Sequence, residues 1–407
     1  MEDLGVLLIT ANIGSLSDHV GTLQKCWLQE LYKTVQFHQP AFIALHLQEV
    51  GGKHYMENMD SALNYIRELM QGEELSPYDR TLAFMDSDFT QPHHFTALGS
   101  IYFIHRSLRN INIYDVRDRM FVSVSGQTFI TGSLEDCPIV HKERFPQEFW
   151  AEFPWTRKGF MRTRWQIDNR NFDLVNLHLF HDASNLVSYD CSPSVYSDNR
   201  KKALNHILTR IQDSEVPFFL FGDFNFRLDL KNLILEQGWD LKTGKDSEGK
   251  TIVYEQDGEV RLIMKRKCFE YHNVKILEED SGRALLLYDS EPCPFLDGLT
   301  EIPISFPPSY PFSEMVSRPS EFMGTRCPAW CDRVFMSHSA RELLNKIKDG
   351  ESQVRYDRIG AEVCMGDHKV RLDQGYSILQ IYLCYVDSKV STASHQLSGC
   401  ISSFCFF

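Results

Sequence analysis

The chain lacks any uninterrupted run approaching the ~20 apolar residues of a membrane-spanning helix. Its longest largely apolar stretch near the end, Ile378 to Val386, is of strand length. The opening residues Met1-Glu2-Asp3-Leu4-Gly5-Val6 lack the charged-then-apolar order of a secretory signal. No internal repeat is evident, and over the first ~370 residues there is no linker rich in proline, glycine or serine. The 11 cysteines lack paired metal-ligand spacing. Cys327 and Cys331 stand four apart with no second pair after them, so zinc is disfavoured and reduced thiols in a cytoplasmic protein are expected. Basic charge is also short: 42 Lys and Arg against 55 Asp and Glu leave a net charge of −13. That balance argues against an extended nucleic-acid footprint, which needs a basic face. It leaves room for a local basic pocket holding a small polyphosphate.

What is present is a large core in a single expected domain, with 43% hydrophobic residues among 407. The central stretch is Phe218-Phe219-Leu220-Phe221-Gly222-Asp223-Phe224-Asn225-Phe226-Arg227. It begins as a strand buried on both faces and stops in Gly222, Asp223 and Asn225. Asp223 and Asn225 are two apart, so on extended chain they point the same way. The same device recurs. Gly5 to Thr10 delivers Asn12, Ala41 to Leu47 delivers Glu49, and Phe172 to Leu179 delivers His178. Two later stretches add Asp332-Arg333 and Asp367-His368.

Helices are expected over Leu23–Phe37, Met56–Met70, Asp198–Ile211, Leu262–Tyr271 and Ala340–Lys346. Further strands are expected at Phe95–Ile104, Ile111–Tyr114, Phe121–Ser125 and Val354–Asp357. Phe160–Ile167 pairs with the His178 strand as a hairpin. Ile304 to Phe312, rich in proline and aromatics, reads as ordered but irregular. Helices alternating with strands and strand pairs point to a layered α/β protein.

Taken singly, each polar ending has a structural reading. Asp223 can end its strand in an Asx turn, Glu49 can be a solvated loop residue, and Asn12 can be a cap. His178 can be a core histidine, and Asp332-Arg333 a local ion pair. Brought together, they would form a site of carboxylates, amides and imidazoles. That donor set suits a hard divalent ion such as magnesium. The matching chemistry is phosphate-ester hydrolysis: one carboxylate holds the metal, another handles the water, and a histidine donates to the charged oxygens. Arginines would bind further phosphates.

Pro328-Ala329-Trp330-Cys331-Asp332-Arg333, together with Gly222 to Arg227, resembles the paired signature of the inositol polyphosphate 5-phosphatases. That family sits in the endonuclease/exonuclease/phosphatase superfamily, with a deoxyribonuclease-I-like α/β/β/α four-layer sandwich. The resemblance runs from about Gly5 to Lys369. Arg157-Lys158-Gly159-Phe160, Val175 to Asn185 and Arg326-Cys327-Pro328 are similar to the family's type I members. It implies Glu49 as principal Mg2+ ligand with Asn12 beside it, and Asp367 completing the carboxylate cluster. It implies Asp223 on the attacking water, and Asn225 holding phosphate and water. His368, oriented by Asp332, and His178 would contact the scissile phosphate. Arg326, Arg333 and Lys158 would bind substrate phosphates. The implied reaction removes the 5-phosphate from soluble inositol 1,4,5-trisphosphate and 1,3,4,5-tetrakisphosphate, ending a calcium signal. The alternatives are a lipid 5-phosphatase and a catalytically impaired inositol-phosphate binder.

Departures from the family pattern fall at Gly324 and in the C-terminal segment after Lys369. Lipid-directed relatives carry a lysine where this chain has Gly324, which favours soluble substrates. After Asp367-His368-Lys369 the family continues with a proline and a last apolar strand; here Val370 to Gly375 intervene, and Tyr376 to Val386 is the candidate strand. The type I prenylation box needs a cysteine fourth from the end, and the ending Phe404-Cys405-Phe406-Phe407 places it one residue late. The expectation is a monomeric cytoplasmic protein, without nucleic acid or a membrane anchor by that route. Its catalytic domain is expected over 1–386, followed by a divergent, disordered tail at 387–407.

Overall fold

The computed structural model describes residues 4–368, apart from 19–20, 151, 154–155, 212–214, 247–248, 345–353, 355 and 361–362. The expected last strand, Tyr376 to Val386, and the tail at 387–407 lie outside the described residues.

In chain order the elements are β1 (Val6–Asn12), α1 (Gly14–Asp18), α2 (Thr22–His38), β2 (Phe42–Gln48) and α3 (Tyr55–Met70). Next come β3 (Arg80–Asp86), β4 (Gly99–Ile104), β5 (Ile111–Asp115), β6 (Met120–Ser123), β7 (Gln127–Gly132) and β8 (His141–Arg144). The central part holds β9 (Gly159–Ile167), β10 (Arg170–His178), α4 (Asn185–Asp190), α5 (Val195–Ile211), β11 (Phe218–Asp223) and α6 (Leu230–Leu235). Then follow β12 (Asp240–Asp246), β13 (Gly249–Gln256), β14 (Glu259–Lys265), β15 (Cys268–Tyr271) and α7 (Lys275–Glu278). The described chain closes with β16 (Leu299–Glu301), β17 (Asp332–Ser337) and α8 (His338–Leu344).

Two mixed sheets stack. One runs β1-β2-β4-β3-β7, the other β16-β17-β11-β10-β9-β5-β6, with β8 also paired to β9. Alternation along the strands divides their apolar residues between three cores. Leu8, Phe42, Ala44 and Tyr102 of the first sheet meet Trp165, Leu174, Phe219 and Phe221 of the second between the sheets. The other face of the first sheet, with Leu7, Ile9, Ile43 and Leu45, packs on Trp27, Leu31, Ile66 and Leu69 of α2 and α3. The outer face of the second, with Val175, Leu177 and Leu220, packs on Ala203, Leu204 and Ile207 of α5. Three cores between four layers make the α/β/β/α sandwich that the sequence resemblance implied.

A third sheet, β12-β13-β14-β15, corrects one expectation. Leu262–Tyr271 is a hairpin, not a charged helix: Leu262, Met264 and Phe269 are buried with strand alternation, and Arg266-Lys267 forms the turn. The basic run read as a solvated helix face is a solvated turn. Nor do the described residues of Val354–Asp357 form a strand. Tyr356 is instead a buried plug whose hydroxyl donates to Glu301 Oε1 at 2.9 Å and accepts from Val334 N at 3.2 Å.

Candidate active site

The site lies where strand ends from both sheets meet. In the first sheet β1 and β2 run parallel, with Asn12 opposite Gln48, so Asn12 and Glu49 leave from one edge. In the second, His178 of β10 pairs with Asp223 of β11, and Asp223 pairs with Asp332 of β17. Residues directly opposite in neighbouring strands share a face. His178, Asp223 and Asp332 therefore stand abreast across three strands. Gly222 permits this approach, because a Cβ there would lie 2.1 Å from the carbonyl oxygen of Leu177. Glu49 (φ 56°) and Asn225 (φ 53°) both turn out of their strands in the left-handed region. Non-glycine residues adopt it at a cost and often at functional sites.

Buried polar contacts fix the sheets to each other below this edge. Gln48 Nε2 donates to Asn176 Oδ1 (2.8 Å), and Asn176 Nδ2 donates to the Gly99 carbonyl (2.7 Å). His46 Nδ1 lies 3.2 Å from the Phe221 carbonyl oxygen. Burial takes His46 down to about 3, so it is neutral. Asn12 Nδ2 closes the seam at 3.1 Å from Asp223 Oδ2.

Asp223 is almost fully engaged. Its Oδ2 faces Asn225 Nδ2 (2.9 Å), Asn12 Nδ2 (3.1 Å) and His178 Nε2 (3.1 Å), and its Oδ1 accepts from the Asn225 backbone N–H (2.8 Å). Burial alone would raise this carboxyl, but His368, His178 and Lys158 outweigh it and hold it well below the carboxylate range. His368 Nδ1 lies 3.1 Å from Asp332 Oδ2, and its Nε2 lies 3.9 Å from Asp223 Oδ2. Burial opposes the imidazolium, yet the two carboxylates push His368 up to about 10. Burial pushes the Asp332 carboxyl up, opposed by His368 and by the Ser309 hydroxyl, which donates to Oδ2 at 2.8 Å.

On the other flank, Glu49 Oε1 is 3.7 Å from Lys158 Nζ and 3.6 Å from His178 Nε2. Lys158 Nζ also touches His178 Nε2. Burial opposes the charge on Glu49, but Lys158, His178 and Arg157 bring it down to about 2. Burial lowers Lys158 to about 8 despite Glu49 and Asp223. It also lowers His178, with Lys158 adding to the effect. A cavity of ≈ 370 Å³ opens here, lined by Glu49, Thr96, Arg157, Lys158 and His178 among others.

The donor set fits a hard cation. Glu49 Oε2 and Asn12 Oδ1 converge on the bare Cα of Gly14, where a Cβ would lie 3.0 and 3.3 Å from them. That brings two oxygen donors to one spot, where Asn12 Oδ1 also accepts from the Gly14 backbone N–H at 3.1 Å. Ligand atoms of Asp223, Asp332 and His368 also lie within 4.8 Å of one another, and Asp332 Oδ1 is buried without a hydrogen-bond partner.

Nine of the eleven residues singled out from sequence lie in or beside this constellation: Asn12, Glu49, Lys158, His178, Asp223, Asn225, Arg326, Asp332 and His368. Half-buried Arg326 donates to the Asp182 carbonyl (3.2 Å), and burial lowers it next to Tyr310 and Arg227. Asp367 is more peripheral: its Oδ1 accepts from Ser15 Oγ at 2.8 Å, which moors the loop carrying His368 to α1.

Arg333 requires a correction. It is buried, forked onto Glu301 (Nε to Oε1, 2.9 Å) and bonded to Asp289 (Nη1 to Oδ2, 2.5 Å). It belongs to the core because successive strand residues face opposite ways, and Asp332 takes the side of the site.

Sequence reasoning missed Ser309, Tyr310 and Arg157, whose guanidinium lies 4.6 Å over the Tyr55 ring. It also passed over Arg227, although the two-residue spacing that linked Asp223 to Asn225 links Asn225 to Arg227 as well.

A family model described as endonuclease/exonuclease/phosphatase family 2 matches residues 275–370. The chain is 47% identical over 375 residues to dog inositol polyphosphate-5-phosphatase A, covering 89% of this chain and 91% of that protein. It is 46% identical over 375 residues to the human protein of the same name, with the same coverage. A probable type I inositol 1,4,5-trisphosphate 5-phosphatase of Caenorhabditis elegans is 35% identical over 407 residues, covering 89% of this chain and 97% of that protein. Among solved structures, the inositol polyphosphate 5-phosphatase domain of SPsynaptojanin, crystallised with inositol (1,4)-bisphosphate and calcium, aligns with a TM-score of 0.50 at 13% identity. That alignment covers 95% of this chain and 86% of that one, and shows the shared deoxyribonuclease-I-like fold.

Proposed function

The chain belongs to the inositol polyphosphate 5-phosphatase family, and from that premise we propose that it removes the 5-phosphate of soluble inositol 1,4,5-trisphosphate and inositol 1,3,4,5-tetrakisphosphate. In this reading the enzyme is magnesium-dependent, monomeric and cytoplasmic, and it ends a calcium signal. The observation that carries it is the row of His178, Asp223 and Asp332, with His368 bridging the two carboxylates.

Glu49 and Asn12 would hold the cation, which when bound neutralises charge on phosphate oxygens. His368 is protonated at neutral pH and donates to a phosphoryl oxygen as charge develops there, with Asp332 fixing its ring. Asp223 is held so far below the usual carboxylate range that it is a weak base. Its role is to align the attacking water in line with the leaving oxygen and to balance the His368 imidazolium. Lys158 is mainly protonated below its value of about 8 and offers a cation to the substrate phosphate. Arg326 grips a more distant phosphate.

Two features support the preference for soluble substrates. The Caenorhabditis elegans relative is named for inositol 1,4,5-trisphosphate. In addition Gly324 packs on the third sheet, where a Cβ would meet Glu270 Cγ at 3.1 Å, and presents no side chain to a 4-phosphate.

The test is phosphate release from the trisphosphate, the tetrakisphosphate and the vesicle-embedded bisphosphate lipid, each with magnesium or with chelator. Magnesium-dependent release from the soluble pair, with little from the lipid, is expected. Binding without turnover would make the chain an inositol-phosphate binder, and faster release from the lipid would reassign its substrate.

A further inference from the structure

We propose that Arg227 is a positioning residue of the reaction, acting through Asn225 by fixing which way its side-chain amide points; this rests on the hydrolytic reading above.

An asparagine amide is ambiguous by shape, since oxygen and nitrogen ends are nearly the same size. At Asn225 the surroundings decide. The Nδ2 end lies 2.9 Å from Asp223 Oδ2 and 3.1 Å from the Leu179 carbonyl, both acceptors only. The Oδ1 end accepts from Arg227 Nη2 at 2.7 Å, and a guanidinium can only donate. Flipping the amide would set oxygen against a carboxylate and NH2 against a cation. Arg227 supplies the donor for the oxygen end and so completes the orientation that the two acceptors favour at the Nδ2 end. The stakes are high because Asn225 sits at φ 53°, a strained backbone that does not hold the side chain by itself.

Arg227 is in turn immobilised. It is only 8% exposed, and its guanidinium lies 4.5 Å from the Tyr310 ring centroid. The same ring lies 4.6 Å from that of His368. Tyr310 thus forms a common wall between the Asp223–Asn225 half of the site and the His368–Asp332 half. Nε and Nη1 of Arg227 are buried without hydrogen-bond partners, a costly arrangement for a cation in a core. A side chain kept there for stability would have its donors matched, as those of buried Arg200 are by Asp182, Glu291 and the Phe180 carbonyl. Arg227 instead makes one directed contact, and that contact is to a residue of the site.

A double-mutant cycle tests this. Arg227→Met should lower kcat roughly 10- to 100-fold, the cost of a misplaced group beside the chemistry, with KM changed less than threefold. Asn225→Ala should lower kcat at least as far, and the double variant should match Asn225→Ala alone, because Arg227 acts through Asn225. Arg227→Lys, which can still donate to Oδ1, should recover most of the loss. Additive effects, or a kcat for Arg227→Met within twofold of the parent, would overturn the proposal. Melting temperature is measured on every variant, and a kcat loss that Arg227→Lys fails to restore despite a parental melting temperature also counts against it. An activity-independent readout separates this from the substrate assignment. The Asn225 side-chain NH2 resonances, identified by their loss in Asn225→Ala, should shift and exchange faster with water in Arg227→Met. Unchanged resonances would overturn the proposal even in a protein whose natural substrate proved to be different.

Discussion

At the scale of single residues, two arginines show how burial and partner decide a role that residue type leaves open. Arg333 and Arg227 both lie in signature stretches and both are buried, 3% and 8% exposed. Arg333 is neutralised by two carboxylates, Glu301 and Asp289, and is therefore a structural cation. Arg227 makes a single side-chain hydrogen bond, to Asn225. The difference predicts opposite phenotypes. Arg333→Lys, which loses the fork on Glu301, should destabilise by about 2–4 kcal/mol, as expected for a damaged buried pair. Its KM at a permissive temperature should stay within twofold of the parent. Urea unfolding alongside steady-state kinetics checks both, and a raised KM with parental stability would return Arg333 to the substrate site.

At the scale of elements, the loop after β10 does more than connect. Asn185 opens α4, where Ser184 is the N-cap. Its Nδ2 faces the carbonyls of Cys268 (2.9 Å), Thr325 (3.0 Å) and Lys265 (3.3 Å), and its backbone N–H donates to Arg266 O (3.0 Å). One side chain therefore ties the β14–β15 hairpin to the loop bearing Arg326. Asn185→Ala orphans these carbonyls at a cost of about 1–3 kcal/mol. Because Arg326 hangs from the same loop, KM should rise several-fold while kcat is nearly kept. A fall in kcat alone would contradict this. The hairpin itself explains a failed reading: a short, basic, two-stranded turn and a charged helix share a composition. Only the alternating burial of Leu262, Met264 and Phe269 separates them.

At the scale of the whole molecule, the histidines set how stability depends on pH. His46 is buried and neutral, at about 3 against an ordinary 6.5. Its contribution is complete above 6.5 and is lost as pH falls towards about 3, because the unfolded chain takes up the proton first. His368 is raised to about 10, so its contribution is complete below 6.5 and lost as pH rises towards about 10. The two slopes meet near 6.5, where the ligand-free protein should melt highest in a scan from pH 4 to 9. His46→Gln should lessen the acid-side slope without removing it, because buried His178 and His181 are lowered as well, and a melting temperature that climbs steadily to pH 9 would exclude this account. The sequence by itself determined the layered class and most of the strands that end in polar residues, because apolar runs and the residues that stop them are local in the chain. Strands such as β7 and β13 escaped, since partial burial leaves them no strong apolar run; β3 is buried, but its apolar run is only the four residues Leu82 to Met85. Only the tertiary structure decided which endings converge. The parallel pairings of β1 with β2 and β10 with β11 bring Asn12, Glu49, His178 and Asp223 to one edge, while strand alternation sends Arg333 away from it. Register and convergence arise from contacts between segments tens to hundreds of positions apart; local alternation says which residues share a face, but not which strands meet.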